Sequence, residues 1–305
     1  MKKSSLLVVV GAVLLSACST TSTSSSPSTT PVSFPLTLKN NNTSVTIATQ
    51  PEAIISLSPT ATEMLFAIGA GNQVIAVDDQ STYPAEAPKS DLSGFTPNLE
   101  AIVAKQPDLV VVSNDIDGIV AALGAASIPV LVEPAATSLA DTFAQTLQLG
   151  AATGHANEAE QLVASMTSEI KKAKDSVEPT SGRSVYHELD NTMYTVTSAT
   201  FVGSIYQEFG LTNIADASPD ASSGYPQLSA EYIVKADPSL IFLADTKCCA
   251  VTAETLAKRP GFDALSAVTS GNVFALDDDV ASRWGPRTVQ LYLSIADALN
   301  KVSNQ

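Results

Sequence analysis

The chain has 305 residues, 45% of them hydrophobic, and a formal net charge of −15 at neutral pH. That length suffices for two lobes of ordinary domain size with a substantial core. The acidic balance argues against nucleic acid or an anionic lipid surface as the main partner.

In chain order, Met1-Lys2-Lys3 is a basic start, Leu6 to Leu15 is an apolar stretch too short for a stable membrane span, and Leu15-Ser16-Ala17-Cys18 closes it with small residues before a cysteine. This start resembles a bacterial lipoprotein signal with its lipobox. The resemblance implies that residues 1–17 are removed, that Cys18 carries lipid, and that the mature protein is tethered to a membrane surface without spanning it. Loss of Lys2 and Lys3 takes the net charge to −17. An ordinary secretory signal cut elsewhere is the alternative, and both place the protein outside the cytoplasm. Residues 18–34 read as a flexible tether, because a run of Ser, Thr and Pro cannot bury apolar surface. No later stretch approaches the length of a transmembrane helix.

The first lobe, residues 35–137, alternates strand and helix. The pattern predicts a strand at Ala53–Leu57, a helix at Pro59–Ile68 closed by Gly69 and Gly71, and a strand at Val74–Val77. Thr60 and Glu63 have capping-box spacing. A helix near Ile119–Leu123 and a strand at Ile128–Val132 complete a right-handed α/β run. Residues 138–177 read as helical almost throughout, with Gly154 the expected break, and link the lobes. A helical link is stiffer than crossing strands, which implies a small hinge motion. The second lobe, residues 178–305, resumes with strands at Ser184–Glu188 and Met193–Val196 and a helix at Phe201–Phe209. It ends with a strand at Val273–Leu276 and a helix over Pro286–Val302, proline being favoured at a helix start.

One phrase occurs in both lobes, 131 residues apart: Glu100-Ala-Ile-Val-Ala-Lys-Gln-Pro107-Asp-Leu-Val-Val-Val112 and Glu231-Tyr-Ile-Val-Lys-Ala-Asp-Pro238-Ser-Leu-Ile-Phe-Leu243. Each reads as a short helical turn that stops before proline, followed by a continuous apolar run suited to a parallel strand covered on both faces. Two related halves are implied. Glu100 and Glu231 open the two helices, where the helix dipole favours an acidic residue. Two equivalent carboxylates on similar lobes would also make matched contacts for a two-fold symmetric partner.

These residues together resemble the class III substrate-binding proteins of ABC importers, the group of vitamin B12, ferric-siderophore and haem binders. The resemblance runs over residues 51–300. It is carried by Ser56-Leu-Ser-Pro59-Thr-Ala-Thr-Glu63, Tyr83-Pro84, Asn98-Leu99-Glu100 through Leu109, Thr197 through Gly203, Tyr225-Pro-Gln-Leu-Ser229 and Pro286-Arg287. It implies two α/β lobes, each with a mainly parallel sheet, joined by a long backbone helix with a ligand cleft between them. It further implies that Glu100 and Glu231 dock to basic residues of a permease dimer served by a cytoplasmic ATPase.

Ligand candidates follow from side-chain chemistry at that cleft. The chain has four arginines, and Ser282-Arg283-Trp284-Gly285-Pro286-Arg287 holds two of them together with the single tryptophan. Guanidinium forks bind carboxylates or phenolates and an indole offers a flat apolar face, so Arg283, Trp284 and Arg287 suit a bulky anionic chelate. The alternative makes Trp284 a core plug and pairs the arginines with Asp277, Asp278 and Asp279. Tyr225 stands where related vitamin B12 binders place an aromatic. Tyr83 and Phe95 are first-lobe candidates, and Tyr186, His187 and Tyr194 second-lobe ones, each equally open to a packing role. Gln80 and Gly94 stand near where B12 binders carry aromatics, which favours an iron chelate.

Bare metal is a poorer candidate, because His155 and His187 are the only histidines and lie in different regions. His187 is either an axial ligand to a haem iron or a structural histidine. Cys248 and Cys249 form either a vicinal disulfide, strained because adjacent α-carbons are close, or two free thiols. An enzyme is not indicated: there is no Gly-x-Ser-x-Gly elbow, phosphate loop or metal-hydrolase histidine pair, and Ser204 lacks an evident base. The sequence thus predicts a monomeric, lipid-anchored receptor without a cofactor of its own, capturing a ferric siderophore or similar chelate for an ABC permease. Cobalamin or haem is the alternative cargo, and a cell-envelope scaffold lipoprotein the alternative class.

Overall fold

The computed structural model describes residues 32–41, 43–180 and 182–303; the expected signal and Cys18 lie outside them. The described chain opens with an antiparallel hairpin, β1 (Leu36–Asn40) and β2 (Thr43–Ile47), an element the sequence reading did not foresee. The first lobe follows as β3 (Ile54–Leu57), α1 (Pro59–Ala67), β4 (Val74–Val77), α2 (Leu99–Val103), β5 (Leu109–Val112), α3 (Ile119–Ala125) and β6 (Val130–Val132). Strands β3 to β6 are parallel, in the order β4-β3-β5-β6. Asn40 seals the outer edge of β6: its amide donates to Val130 O at 2.8 Å, and its Oδ1 accepts the Val132 N–H at 2.7 Å.

Two helices connect the lobes, α4 (Leu139–Thr153) and α5 (Ala156–Asp175). A capping box between Ser138 and Asp141 starts α4, and Gly154 ends it in the left-handed conformation at φ 80°. The 20-residue α5 is about 30 Å long and packs along the last helix of the chain.

The second lobe comprises β7 (Ser184–Glu188), α6 (Phe201–Glu208), β8 (Thr212–Asn213), α7 (Ala230–Ala236), β9 (Leu240–Leu243), α8 (Ala253–Ala257), α9 (Ser266–Thr269), β10 (Val273–Ala275), α10 (Asp278–Ala281) and α11 (Thr288–Ser303). Its sheet is again parallel, in the order β10-β9-β7-β8. Counted within each lobe, both sheets run second, first, third, fourth. The two lobes therefore share one topology.

The continuous apolar runs are explained by what covers them. Along β5, Leu109 and Val111 face one cluster with Met64, Leu65 and Leu149, while Val110 and Val112 face another with Ile102 and Leu123. Along β9, Leu240 and Phe242 pack with Tyr206 and Tyr292, while Ile241 and Leu243 pack with Ile233 and Phe262. Each such side chain contributes about 1.5–3 kcal/mol on burial, so both faces of each sheet must be covered.

The repeated phrase is repeated in structure. Asn98 and Ser229 cap α2 and α7 through their side chains, accepting the N–H of Ala101 and Tyr232. Ile102 and Ile233 are buried, and Gln106 and Asp237 adopt left-handed backbone before the two buried prolines.

Three local expectations are corrected. Met193–Val196 is no strand: Tyr194 makes an isolated bridge to Gln227, because the polar turn at Asp190–Thr192 carries the chain away from the sheet. Helix α1 is capped by Ser58 rather than Thr60, which leaves Glu63 free for another role. The last helix begins at Thr288, after Pro286.

Candidate functional site

Open α/β sheets bind ligands beyond the carboxyl ends of their strands, where the strand order reverses. In this chain those ends are the edges from which the loops after β3, β4 and β5, and after β7, β8 and β9, depart. Four exposed aromatics sit on such loops: Tyr83 and Phe95 between β4 and α2, Tyr194 after β7, and Tyr225 before α7. Phe95 is 72% exposed, far beyond what packing accounts for. Its neighbour Gly94 crosses the end of β3 so closely that a Cβ there would lie 2.7 Å from Leu57 O. The Ser93 hydroxyl accepts from Phe95 N and Thr96 N at 3.2 Å and fixes the turn. Tyr225 is presented similarly, with its N–H donating to Ser223 Oγ at 3.1 Å. The segment around it is tied to Tyr194's by Thr195 N to Pro226 O at 3.0 Å.

Behind these loops lies the seam between the lobes. Glu63 of α1 is 2% exposed and receives both arginines of the Ser282–Arg287 segment. Arg283 Nη1 donates to Oε1 at 3.0 Å, Arg287 Nε to Oε2 at 3.0 Å, and Arg287 Nη2 to Oε1 at 2.6 Å. Arg283 also donates to Gln80 O at 3.0 Å and Asp279 Oδ1 at 3.2 Å. The Arg287 guanidinium stacks 4.4 Å from the centre of the Tyr83 ring. Trp284 packs against the cores of both lobes and donates its indole N–H to Gln145 Oε1 at 3.0 Å. A cavity of about 390 Å³ opens beside this seam, among Tyr83 and Arg287, Phe66 of α1, Leu162 and Met166 of α5, and Val289 of α11.

These contacts correct several expectations. Arg283 and Arg287 are not free forks for a ligand, because Glu63 occupies both; the sequence suggested Asp277 to Asp279 as the alternative partners, and only Asp279 serves, for Arg283. Trp284 is a seam residue. Tyr186 and His187 have no exposed surface, since β7 is a central strand covered on both faces, so neither meets a ligand in this conformation. Tyr186 donates to Glu188 Oε2 at 3.0 Å, and His187 Nδ1 bonds the Tyr206 hydroxyl at 2.8 Å. Burial pushes the His187 imidazole down to about 4, so the ring stays neutral. His155 bonds Thr153 at the α4–α5 junction.

Glu100 and Glu231 are both exposed, each two residues past its cap. Hydrogen bonds from its own amide and from Ser229 hold the Glu231 carboxyl below the usual range. Beside them, Val103 and Val234 are each 37% exposed. Cys248 and Cys249 are paired as a disulfide in the loop after β9. Among the described residues, no group of three or more His, Cys, Asp or Glu side chains is arranged to hold a metal ion.

Residues 54–280 match the model of the family described as periplasmic binding protein. The chain belongs to that family. Periplasmic binding proteins are solute binders, and the chain is one of these rather than an enzyme. It is 31% identical over 278 residues to an uncharacterised ABC transporter substrate-binding lipoprotein of Bacillus subtilis, covering 87% of this chain and 86% of the relative. A cobalamin-binding protein of Halobacterium salinarum is 30% identical over 282 residues, covering 89% of this chain and 76% of the relative. Among solved structures, a periplasmic heme-binding protein from Roseiflexus sp. RS-1 superposes with a TM-score of 0.70 at 25% identity, over 82% of this chain and 98% of that one.

Proposed function

We propose that this chain is the substrate-binding component of an ABC importer, anchored outside the cytoplasm through Cys18, and that its cargo is a corrinoid. The importer role is supported by the name of the Bacillus subtilis relative and by the shared topology of the lobes. Glu100 and Glu231 stand at equivalent, exposed places on that topology, one per lobe, an arrangement that suits a partner with two related halves. The observation that carries the corrinoid reading is the state of the arginines. A ferric siderophore with anionic donors calls for free guanidinium groups, whereas Arg283 and Arg287 are committed to Glu63. The exposed groups at the strand ends are instead the aromatic rings of Tyr83, Phe95, Tyr194 and Tyr225, which suit a large ring system of low charge. The Halobacterium salinarum relative, named for cobalamin binding, points the same way.

The test is a calorimetric titration with cyanocobalamin, haemin and a panel of ferric siderophores. Saturable binding of cyanocobalamin alone is expected. Binding of a siderophore without cobalamin overturns the corrinoid reading but keeps the importer, and silence across the panel favours the scaffold lipoprotein. Replacing Glu100 and Glu231 together by alanine is expected to leave affinity unchanged while uptake in cells collapses; unchanged uptake overturns the docking role.

A further inference from the structure

The second lobe contains a buried ionisable cluster that takes no part in the seam or in the aromatic loops. Register pairs Glu188 of β7 with Leu243 of β9. Glu188 and Asp245, two residues beyond Leu243, therefore share a sheet face at the carboxyl ends of this lobe's first and third strands, the point where the strand order reverses. Both are 0% exposed. Glu188 is fully engaged: Arg259 Nη1 donates to Oε2 at 2.6 Å, Arg259 Nη2 to Oε1 at 2.7 Å, and the Tyr186 hydroxyl to Oε2 at 3.0 Å. Asp245 is not engaged, since neither of its carboxyl oxygens has a hydrogen-bond partner among the described residues.

We propose that Asp245 and Glu188 hold one proton between them, making this a proton-binding site built into the second lobe. With Asp245 neutral, the positive charge of Arg259 balances Glu188 and the buried cluster carries no net charge. With Asp245 ionised it carries one uncompensated negative charge on a face otherwise formed by Ile241, Leu243, Val251 and Leu256. A metal ion does not substitute for the proton, because Arg259 occupies both oxygens of Glu188 and leaves Asp245 as a lone ligand. The charged and titratable groups facing Asp245 are Glu188 and Tyr186 from β7 and Arg259 from the segment after α8. Lys247, in the same loop, turns away to Asp277 and Asp279, and Asp278 accepts the backbone N–H groups of Thr246, Lys247 and Cys248. Burial, then the charge of Glu188, pushes the Asp245 carboxyl up to about 7.

The proton sits at the root of the loop that carries the cysteine pair. The Asp245 carbonyl accepts the N–H of Cys249 at 3.2 Å and of Val251 at 3.4 Å. The sign follows from linkage. An unfolded aspartate titrates near about 3.9, below the folded value, so the folded form binds more protons between the two. The stabilisation is complete below the unfolded value and is lost as pH rises through the folded one.

The experiment compares thermal unfolding of the full chain and of Asp245→Asn between about pH 5 and about pH 9. The amide is neutral throughout and keeps a donor toward Glu188. The melting temperature of Asp245→Asn is expected to gain on that of the unaltered chain as pH rises from about 5 to about 7 and to keep a constant lead above that, where the aspartate is ionised in both states; two parallel profiles over the lower range overturn the proposal. The carboxyl carbon of Asp245, assigned by NMR in the unaltered chain, decides the matter even if the variant does not fold. Titration near neutrality is expected, and an ionised carboxylate persisting down to about pH 5 overturns it.

Discussion

Arg287 of the second lobe holds Glu63 of the first through two hydrogen bonds, at 3.0 Å from Nε and 2.6 Å from Nη2. The two residues are 224 positions apart, and Arg283 closes on the same carboxylate. The side chain of Glu63 is 1% exposed and those of the arginines 11% and 13%, so this is a buried junction rather than a surface ion pair.

Removing the shared partner leaves two guanidinium groups without their principal acceptor in a dry seam. Glu63→Ala is expected to destabilise the protein by roughly 3–5 kcal/mol, the usual result of breaking a buried pair from one side. Urea unfolding measures it. A cost below about 1 kcal/mol would mean that water already reaches the seam.

The repeat and its two strands were legible in the sequence because a parallel strand covered on both faces by apolar clusters is written as a continuous apolar run. Leu109–Val112 and Leu240–Leu243 admit no polar residue on either face. The seam was not legible. Glu63 lies at capping-box spacing from Thr60, a local signal that masked a partner more than 200 residues away, and no periodicity records a contact between lobes. His187 and Tyr186 misled in the opposite direction: a polar side chain on a central strand reads as a site, whereas here both are buried in the core, where His187 Nδ1 bonds the Tyr206 hydroxyl and the Tyr186 hydroxyl donates to Glu188. Asp245 gave no signal, since one aspartate after a strand looks like a turn residue.

Trp284 provides a direct check of this reassignment. Its indole N–H is held by Gln145, itself 7% exposed. Trp284→Phe loses that bond and leaves Gln145 Oε1 unpaired, at a cost of about 1–3 kcal/mol. Cargo affinity is expected to change by less than about twofold, on the order of 0.4 kcal/mol. A tenfold loss of affinity with stability retained would return the indole to the ligand surface.

His187 should make the protein acid-sensitive. The free imidazole titrates near about 6.5, whereas burial holds the folded one at about 4. The unfolded chain therefore takes up a proton that the folded chain refuses. Stability is full above the unfolded value and falls as pH drops toward the folded one, by up to about 3 kcal/mol. This slope opposes that of Asp245, so the difference between the unaltered chain and His187→Gln isolates it. Identical pH profiles for the two would show that His187 is hydrated in solution.

Asn40 ties the N-terminal hairpin to the first sheet. The amide of Asn40, 5% exposed, takes the place of a neighbouring strand along β6, meeting Val130 O and Val132 N. An edge strand offers such groups to any chain that can pair with it, and covering them prevents unwanted pairing. Asn40→Leu keeps the volume and removes both bonds, leaving a buried backbone donor and acceptor unpaired, so the expected cost is about 2–4 kcal/mol. Hydrogen exchange locates it. The Val132 amide is expected to lose protection in the variant while Val111, inside the sheet, keeps its own. Equal loss at both would mean that the whole lobe had been weakened and that Asn40 has no particular hold on the edge.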